Sequence, residues 1–116
     1  MTWHCLALDL RDDPQLIAEY ERWHRRDFIW PEVVRSIRDA GIVDMQIHRT
    51  GNRLVMLMRV APSFDASAKA AADAANERVQ AWEALMSTFQ QPLPWAAAGQ
   101  KWVPMQRIFD LAQCPD

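Results

Sequence analysis

Apolar residues along this chain keep two rhythms, a period of two and a period near 3.6, and the two alternate. From Thr2 to Leu10 the period is two, with His4, Leu6, Leu8 and Leu10 on one side and Trp3, Cys5, Ala7 and Asp9 on the other. Both sides are mostly apolar, which predicts a strand covered on both faces. Asp12-Asp13-Pro14 breaks the pattern, with Asp13 as N-cap and Pro14 as the first helical residue. Leu16, Ile17, Tyr20, Trp23 and His24 then form the stripe of an amphipathic helix. Pro31 opens a second helix striped by Val33, Val34, Ile37 and Ala40, and Gly41 stops it. Ile42 to Arg49 returns to period two, with Val43, Met45 and Ile47 on one face. A Thr50-Gly51-Asn52 turn leads to a strand from Arg53 to Val60, with Leu54, Met56, Met58 and Val60 on its apolar face.

The second half follows the same logic. Asp65 to Ala75 is alanine-rich and helix-forming by propensity, and Asn76 interrupts it. Glu77 to Gln90 predicts a helix with Val79, Trp82, Leu85, Met86 and Phe89 on one face. A loop over 91–100 carries Leu93 and Trp95, which should pack on the body of the protein. Lys101 to Leu111 predicts a last strand, and Pro104 within it demands an edge or a bulge. The order is βαββαβ with each helical layer broken in two. It predicts one α+β domain over 1–116: a ferredoxin-like four-stranded antiparallel sheet with helices on one face. The other face is apolar enough to predict a homodimer, sheet against sheet, as a dimeric α+β barrel.

Composition narrows the function. A net charge of -2 with scattered arginines leaves no footprint for nucleic acid. The uncharged apolar runs are too short to span a bilayer, and the N-terminus lacks the pattern of a signal peptide. Cys5 and Cys114 form no Cys-x-x-Cys pair and read as free thiols of a cytoplasmic protein. The three glycines build no phosphate cradle, and Gly-x-Ser-x-Gly is absent. His4, His24 and His48 lack metal-ligand spacing, so no metal is expected.

The chemistry concentrates between Tyr20 and Glu32, which holds a tyrosine, two tryptophans and a histidine. Tyr20 and His24 are four residues apart and share one helix face. A titratable imidazole beside a phenol and indoles can line a pocket for a polar, neutral ligand. The same residues also suit an ordinary core helix with a histidine at its end.

Tyr20, His24, Ile29-Trp30-Pro31-Glu32, Gly41, Asn52, the Leu54-to-Met58 strand, Trp82 and the closing Ile108-Phe109-Asp110-Leu111 resemble the L-rhamnose mutarotase family over nearly the whole chain. That resemblance implies a dimeric α+β barrel that interconverts the α and β anomers of a 6-deoxy-hexose, without a metal or organic cofactor. It implies that His24 is the proton donor, that Tyr20 binds sugar, and that Trp82 stacks on the sugar. Trp30 is a further candidate wall of the pocket. Mutarotation needs a base at the anomeric hydroxyl and an acid at the ring oxygen, and a histidine serves as either.

Three departures from the family pattern stand out. Two extra residues separate His24 from Trp30, Met45 occupies the place of a sugar-binding tyrosine, and Glu83 occupies that of a second tryptophan. Kept acid and changed contacts fit a different sugar, L-fucose first and L-rhamnose next. Asp44, Glu32 and His48 are further titratable candidates for proton transfer. Domains of this fold also serve as non-catalytic small-ligand binders and cofactor-free monooxygenases. The lining separates these: an apolar, aromatic pocket fits a flat aromatic ligand, whereas charged groups such as Glu83 or Asp27 reaching in fit a sugar.

Overall fold

Asp13 and Pro14 start the first helix as their chemistry dictates. In the computed structural model, which describes residues 2–116, the Asp13 carboxylate accepts from the backbone N–H of Gln15 at 2.8 Å and of Leu16 at 3.3 Å. Strand β1 spans Thr2–Leu10, and helices α1 and α2 span Pro14–Trp23 and Pro31–Asp39. Strands β2 and β3 span Ile42–Thr50 and Arg53–Val60, and helices α3 and α4 span Ala66–Ala74 and Glu77–Ser87. Two short strands follow, β4 at Gln90–Gln91 and β5 at Val103–Pro104, and then a 3-10 turn at Leu111–Gln113. Asp65 and Asn76 cap α3 and α4 through the same side-chain-to-backbone bonds as Asp13. Gly41 stands just past α2 with φ +93°, a conformation that only glycine adopts without strain.

The sheet is antiparallel in the order β2-β3-β1-β4, with β5 also on β1. This is the ferredoxin-like order. The β2–β3 hairpin turns through Gly51, at φ +55°, and Asn52. Asn52 then bonds β1 in both directions, its backbone carbonyl taking the Leu10 N–H at 2.7 Å and its Nδ2 donating to the Leu10 carbonyl at 3.0 Å.

One sheet face lies under the helices. Leu10 and Leu54 from the strands meet Tyr20, Val33, Trp82, Met86 and Phe89 in the buried core. Leu8, Leu10 and Leu54 are fully buried, and each stabilises the fold by about 1.5–3 kcal/mol relative to exposure. The opposite face is open at one end, where Trp3 is 57% exposed. At its other end the buried Asp9 carboxylate accepts from Arg53 at 2.8 and 3.2 Å, and that guanidinium also lies 5.2 Å from the Trp95 ring centre.

Four expectations from the sequence are corrected. The helix expected over Glu77 to Gln90 ends at Ser87, and Gln90 begins β4. The strand expected over Lys101 to Leu111 is only Val103–Pro104, which pairs with Leu6 and Ala7; β4 takes the rest of that edge by pairing with Asp9 and Leu10. Pro104 has no N–H to extend the ladder, and the chain leaves the sheet after Met105 donates to the Cys5 carbonyl at 2.7 Å. Val43 does not share a face with Met45 and Ile47. A bulge between Ile42 and Asp44 resets the alternation, so Ile42 enters the core and Val43 is 48% exposed. In β1, cover on both faces is confined to Ala7–Leu10.

Candidate active site

Helix α1 ends where the chemistry begins. His24 is its C-cap, and its backbone N–H bonds the Glu21 carbonyl at 3.1 Å instead of the Tyr20 carbonyl four residues back. The imidazole bends back and its Nδ1 contacts the Tyr20 carbonyl oxygen at 2.7 Å. A carbonyl can only accept, so Nδ1 carries the proton and the neutral ring keeps its lone pair on Nε2. The ring also packs 4.4 Å from the Tyr20 ring and 5.4 Å, edge-on, from Trp82.

These rings form one wall of a cavity of about 870 Å³ between the helices and the sheet. That volume suits a small organic ligand. The sheet supplies an apolar floor of Met45, Ile47, Met56 and Met58. Helices α3 and α4 supply charge: Lys69, Asp73 and Glu83 line the cavity, and Lys69 bonds Asp73 at 2.7 Å. Gln90, Lys101 and Trp102 complete the lining.

Burial sets the electrostatics. It pushes the His24 pKa below the usual histidine value, and the Tyr20 carbonyl bond pulls weakly the other way. Neutral imidazole is therefore the form held at neutral pH. Burial also pushes the Tyr20 phenol up to about 12, against a smaller opposing effect of the Gln90 side chain. Tyr20 is thus a hydroxyl that donates and accepts hydrogen bonds, not a phenolate base.

The fold brings together most residues singled out from the sequence. Tyr20, His24, Met45, Trp82 and Glu83 all line the cavity. Trp30 does not. It packs edge-on against Trp82 with ring centres 5.3 Å apart, and the Arg78 guanidinium lies 4.0 Å from its ring centre. Arg78 is held in turn by Glu32 at 3.8 Å. Trp30 therefore backs the wall that Trp82 presents. Between His24 and Trp30 the chain makes a tight turn, closed by the Arg25 carbonyl accepting from Phe28 and Ile29 at 2.9 Å each.

The other titratable candidates lie elsewhere. Register places Asp44 and His48 on the sheet face away from the helices, where His48 Nε2 contacts the Gln46 side-chain oxygen at 2.9 Å. Neither they nor Glu32 and Asp27 line the cavity. Sequence reasoning missed Lys69, Asp73, Gln90, Lys101 and Trp102. The first two carried a signal, an i, i+4 Lys–Asp pair within an alanine-rich helix. Gln90 and the 101–102 pair carried none, because their place depends on which edge of β1 they join. Among the described residues, no group of three or more His, Cys, Asp or Glu side chains is placed to hold a metal ion. No helix among the described residues is long and apolar enough to cross a membrane.

Comparison with known proteins gives consistent matches. Residues 3–111 match the family model described as L-rhamnose mutarotase. An L-fucose mutarotase from Xanthomonas campestris pv. campestris is 56% identical over 109 residues, 94% of this chain and 87% of that protein. An L-rhamnose mutarotase from Acidiphilium cryptum is 33% identical over 110 residues, 91% of this chain and 96% of that protein. The crystal structure of an L-rhamnose mutarotase from Formosa agariphila superposes with a TM-score of 0.69 at 21% identity, covering 96% of this chain and 99% of that one, which establishes the shared fold.

Proposed function

The chain belongs to the L-rhamnose mutarotase family, and we infer from that premise and from the cavity that it interconverts the α and β anomers of a 6-deoxy-hexose, with L-fucose as the preferred sugar. It is an isomerase acting on sugar anomers. The observation that carries the catalytic reading is His24, whose Nδ1 is committed to the Tyr20 carbonyl while Nε2 remains available in the cavity.

The chemistry follows from that tautomer. Nε2 takes the proton from the anomeric hydroxyl. The C1–O5 bond then breaks as C1=O forms, and the imidazolium returns its proton to the ring oxygen. Rotation about C1–C2 presents the other face of the aldehyde, and the reverse transfers close the ring. The two oxygens share C1, so one imidazole reaches both. His24 on this reading is base first and proton donor second, where the family resemblance alone gave only the donor. Tyr20 hydrogen-bonds the sugar, Trp82 stacks on its apolar face, and the methionine floor accepts the methyl group of the deoxy sugar.

The charged and amide groups of the lining support a sugar over the flat aromatic ligand of a cofactor-free monooxygenase or small-ligand binder. L-fucose is favoured by the 56% identity to an L-fucose mutarotase and by Met45 and Glu83 in two sugar-contact positions. In the same reading the enzyme works as a homodimer through its open sheet face, in a cytoplasm that keeps Cys5 and Cys114 reduced.

Saturation-transfer NMR on the anomers of L-fucose and L-rhamnose tests the assignment. Acceleration of exchange should be larger for L-fucose, and no acceleration of either sugar overturns it.

A further inference from the structure

Gln90 is a polar group in the cavity that no motif along the chain singles out. It is the first residue of β4, and its backbone is fixed against Leu10 of β1. The residue before it, Phe89, is in the core and accepts from the Arg11 N–H at 2.9 Å, so the strand has little freedom to move. The Gln90 side chain weakly opposes the rise that burial gives the Tyr20 phenol. Its Oε1 is buried and has no hydrogen-bond partner among the described residues. Buried amide oxygens are nearly always paired, because desolvating one without a compensating bond is unfavourable. An unpaired oxygen on a rigid strand, in a residue that lines the cavity, fits a donor brought by the ligand.

We propose that Gln90 is a substrate-binding residue, its Oε1 accepting a hydrogen bond from a ring hydroxyl of the sugar. The inference rests on the reading of this cavity as the sugar site. A carboxamide does not titrate, so Gln90 orients the ring and takes no proton. Tyr20 and Gln90 both line the cavity, and a phenol and an amide that read two hydroxyls select among sugars that differ only in hydroxyl configuration.

Steady-state anomer exchange on the full-length protein separates the outcomes. Gln90→Met, similar in size and without the amide, should raise KM for L-fucose about tenfold, the loss typical of one hydrogen bond to a buried polar group. Its kcat should stay within about twofold, since no reacting atom is touched. Gln90→Glu keeps an acceptor and should recover part of the affinity, which a merely structural residue would not allow. Independently of any variant, the Gln90 side-chain carboxamide resonances of the wild-type protein should shift on addition of L-fucose. An unchanged KM in Gln90→Met, or resonances unmoved by saturating sugar, overturns the proposal. A wild-type protein that accelerates neither sugar overturns the mutarotase reading instead, so the two failures are distinct.

Discussion

The His24 imidazole and the Tyr20 carbonyl, 2.7 Å apart, complete the end of α1 and fix the chemistry of the ring in a single contact. The bond gives an orphan helix carbonyl its donor, and it decides which nitrogen is basic. The plain reading of this histidine, a helix cap, and the functional one are therefore the same fact seen from two nitrogens. His24→Ala should reduce enzymatic anomer exchange by about 10²–10⁴-fold, the usual contribution of a positioned acid–base group. Its far-UV circular dichroism should match the wild type, and persistence of exchange would remove His24 from the mechanism.

The pH dependence has a defined sign. The His24 pKa is lowered by burial, so the active neutral form persists below the usual histidine range. The acid limb of kcat/KM should lie below about pH 6.5, the unperturbed histidine value, and activity should be level from there to neutrality. Stability moves the same way. Above the unfolded pKa both states carry neutral His24, and as the pH falls through it the unfolded chain gains a proton that the folded one refuses. Folding should therefore weaken on acidification across that window, and His24→Gln should remove this part of the slope in urea titrations.

Met45 offers a test of sugar choice. It lines the apolar floor where the family pattern has a sugar-binding tyrosine. Met45→Tyr should restore a polar contact and move the ratio of kcat/KM for L-rhamnose over L-fucose upward by about tenfold, the scale of one added contact. An unchanged ratio would show that the floor does not discriminate.

Trp30 should behave as packing. It touches Trp82 and Arg78 and does not line the cavity. Trp30→Ala should cost about 3 kcal/mol in urea unfolding, the low end for a large aromatic because the ring is half-buried. KM for L-fucose should change by less than about threefold, the effect of a small shift in Trp82. A large rise in KM with unchanged stability would make Trp30 a sugar contact after all.

The open sheet face predicts the assembly. Trp3 is 57% exposed there, and the Arg59 guanidinium lies 5.7 Å from its ring centre. Trp3→Lys would set a second cation beside Arg59 in a sheet-to-sheet interface and should shift sedimentation from dimer to monomer. A wild-type protein that sediments as a monomer would refute the interface.

Much of this protein was legible in the chain itself. Asp13, Asp65 and Asn76 start their helices through bonds that span two or three residues, Pro31 starts its helix by its fixed φ, and Gly51-Asn52 turns the hairpin in the same local way. The period-two and period-3.6 stripes fixed which sides of β3, α1 and α4 would face the core. The Tyr20–His24 pair was visible for the same reason, since four residues of helix bring two side chains together whatever surrounds them.

Contacts between distant segments were decided by the tertiary structure alone. The edge of β1 is shared by Gln90–Gln91 and Val103–Pro104, a division that depends on the length of the intervening loop and on the missing N–H of Pro104. The bulge at Val43 turned a residue outward that strict alternation placed inside. Trp30 moved behind Trp82, and Gln90 and Trp102 entered the cavity, because backbone pairing many residues away set where those side chains could reach. The sequence by itself determined the elements and the histidine at the end of α1, since short-range bonds govern both. The same short-range bond leaves Nε2 free, but the cavity that this nitrogen shares with Gln90 was formed only when the strands closed beneath it.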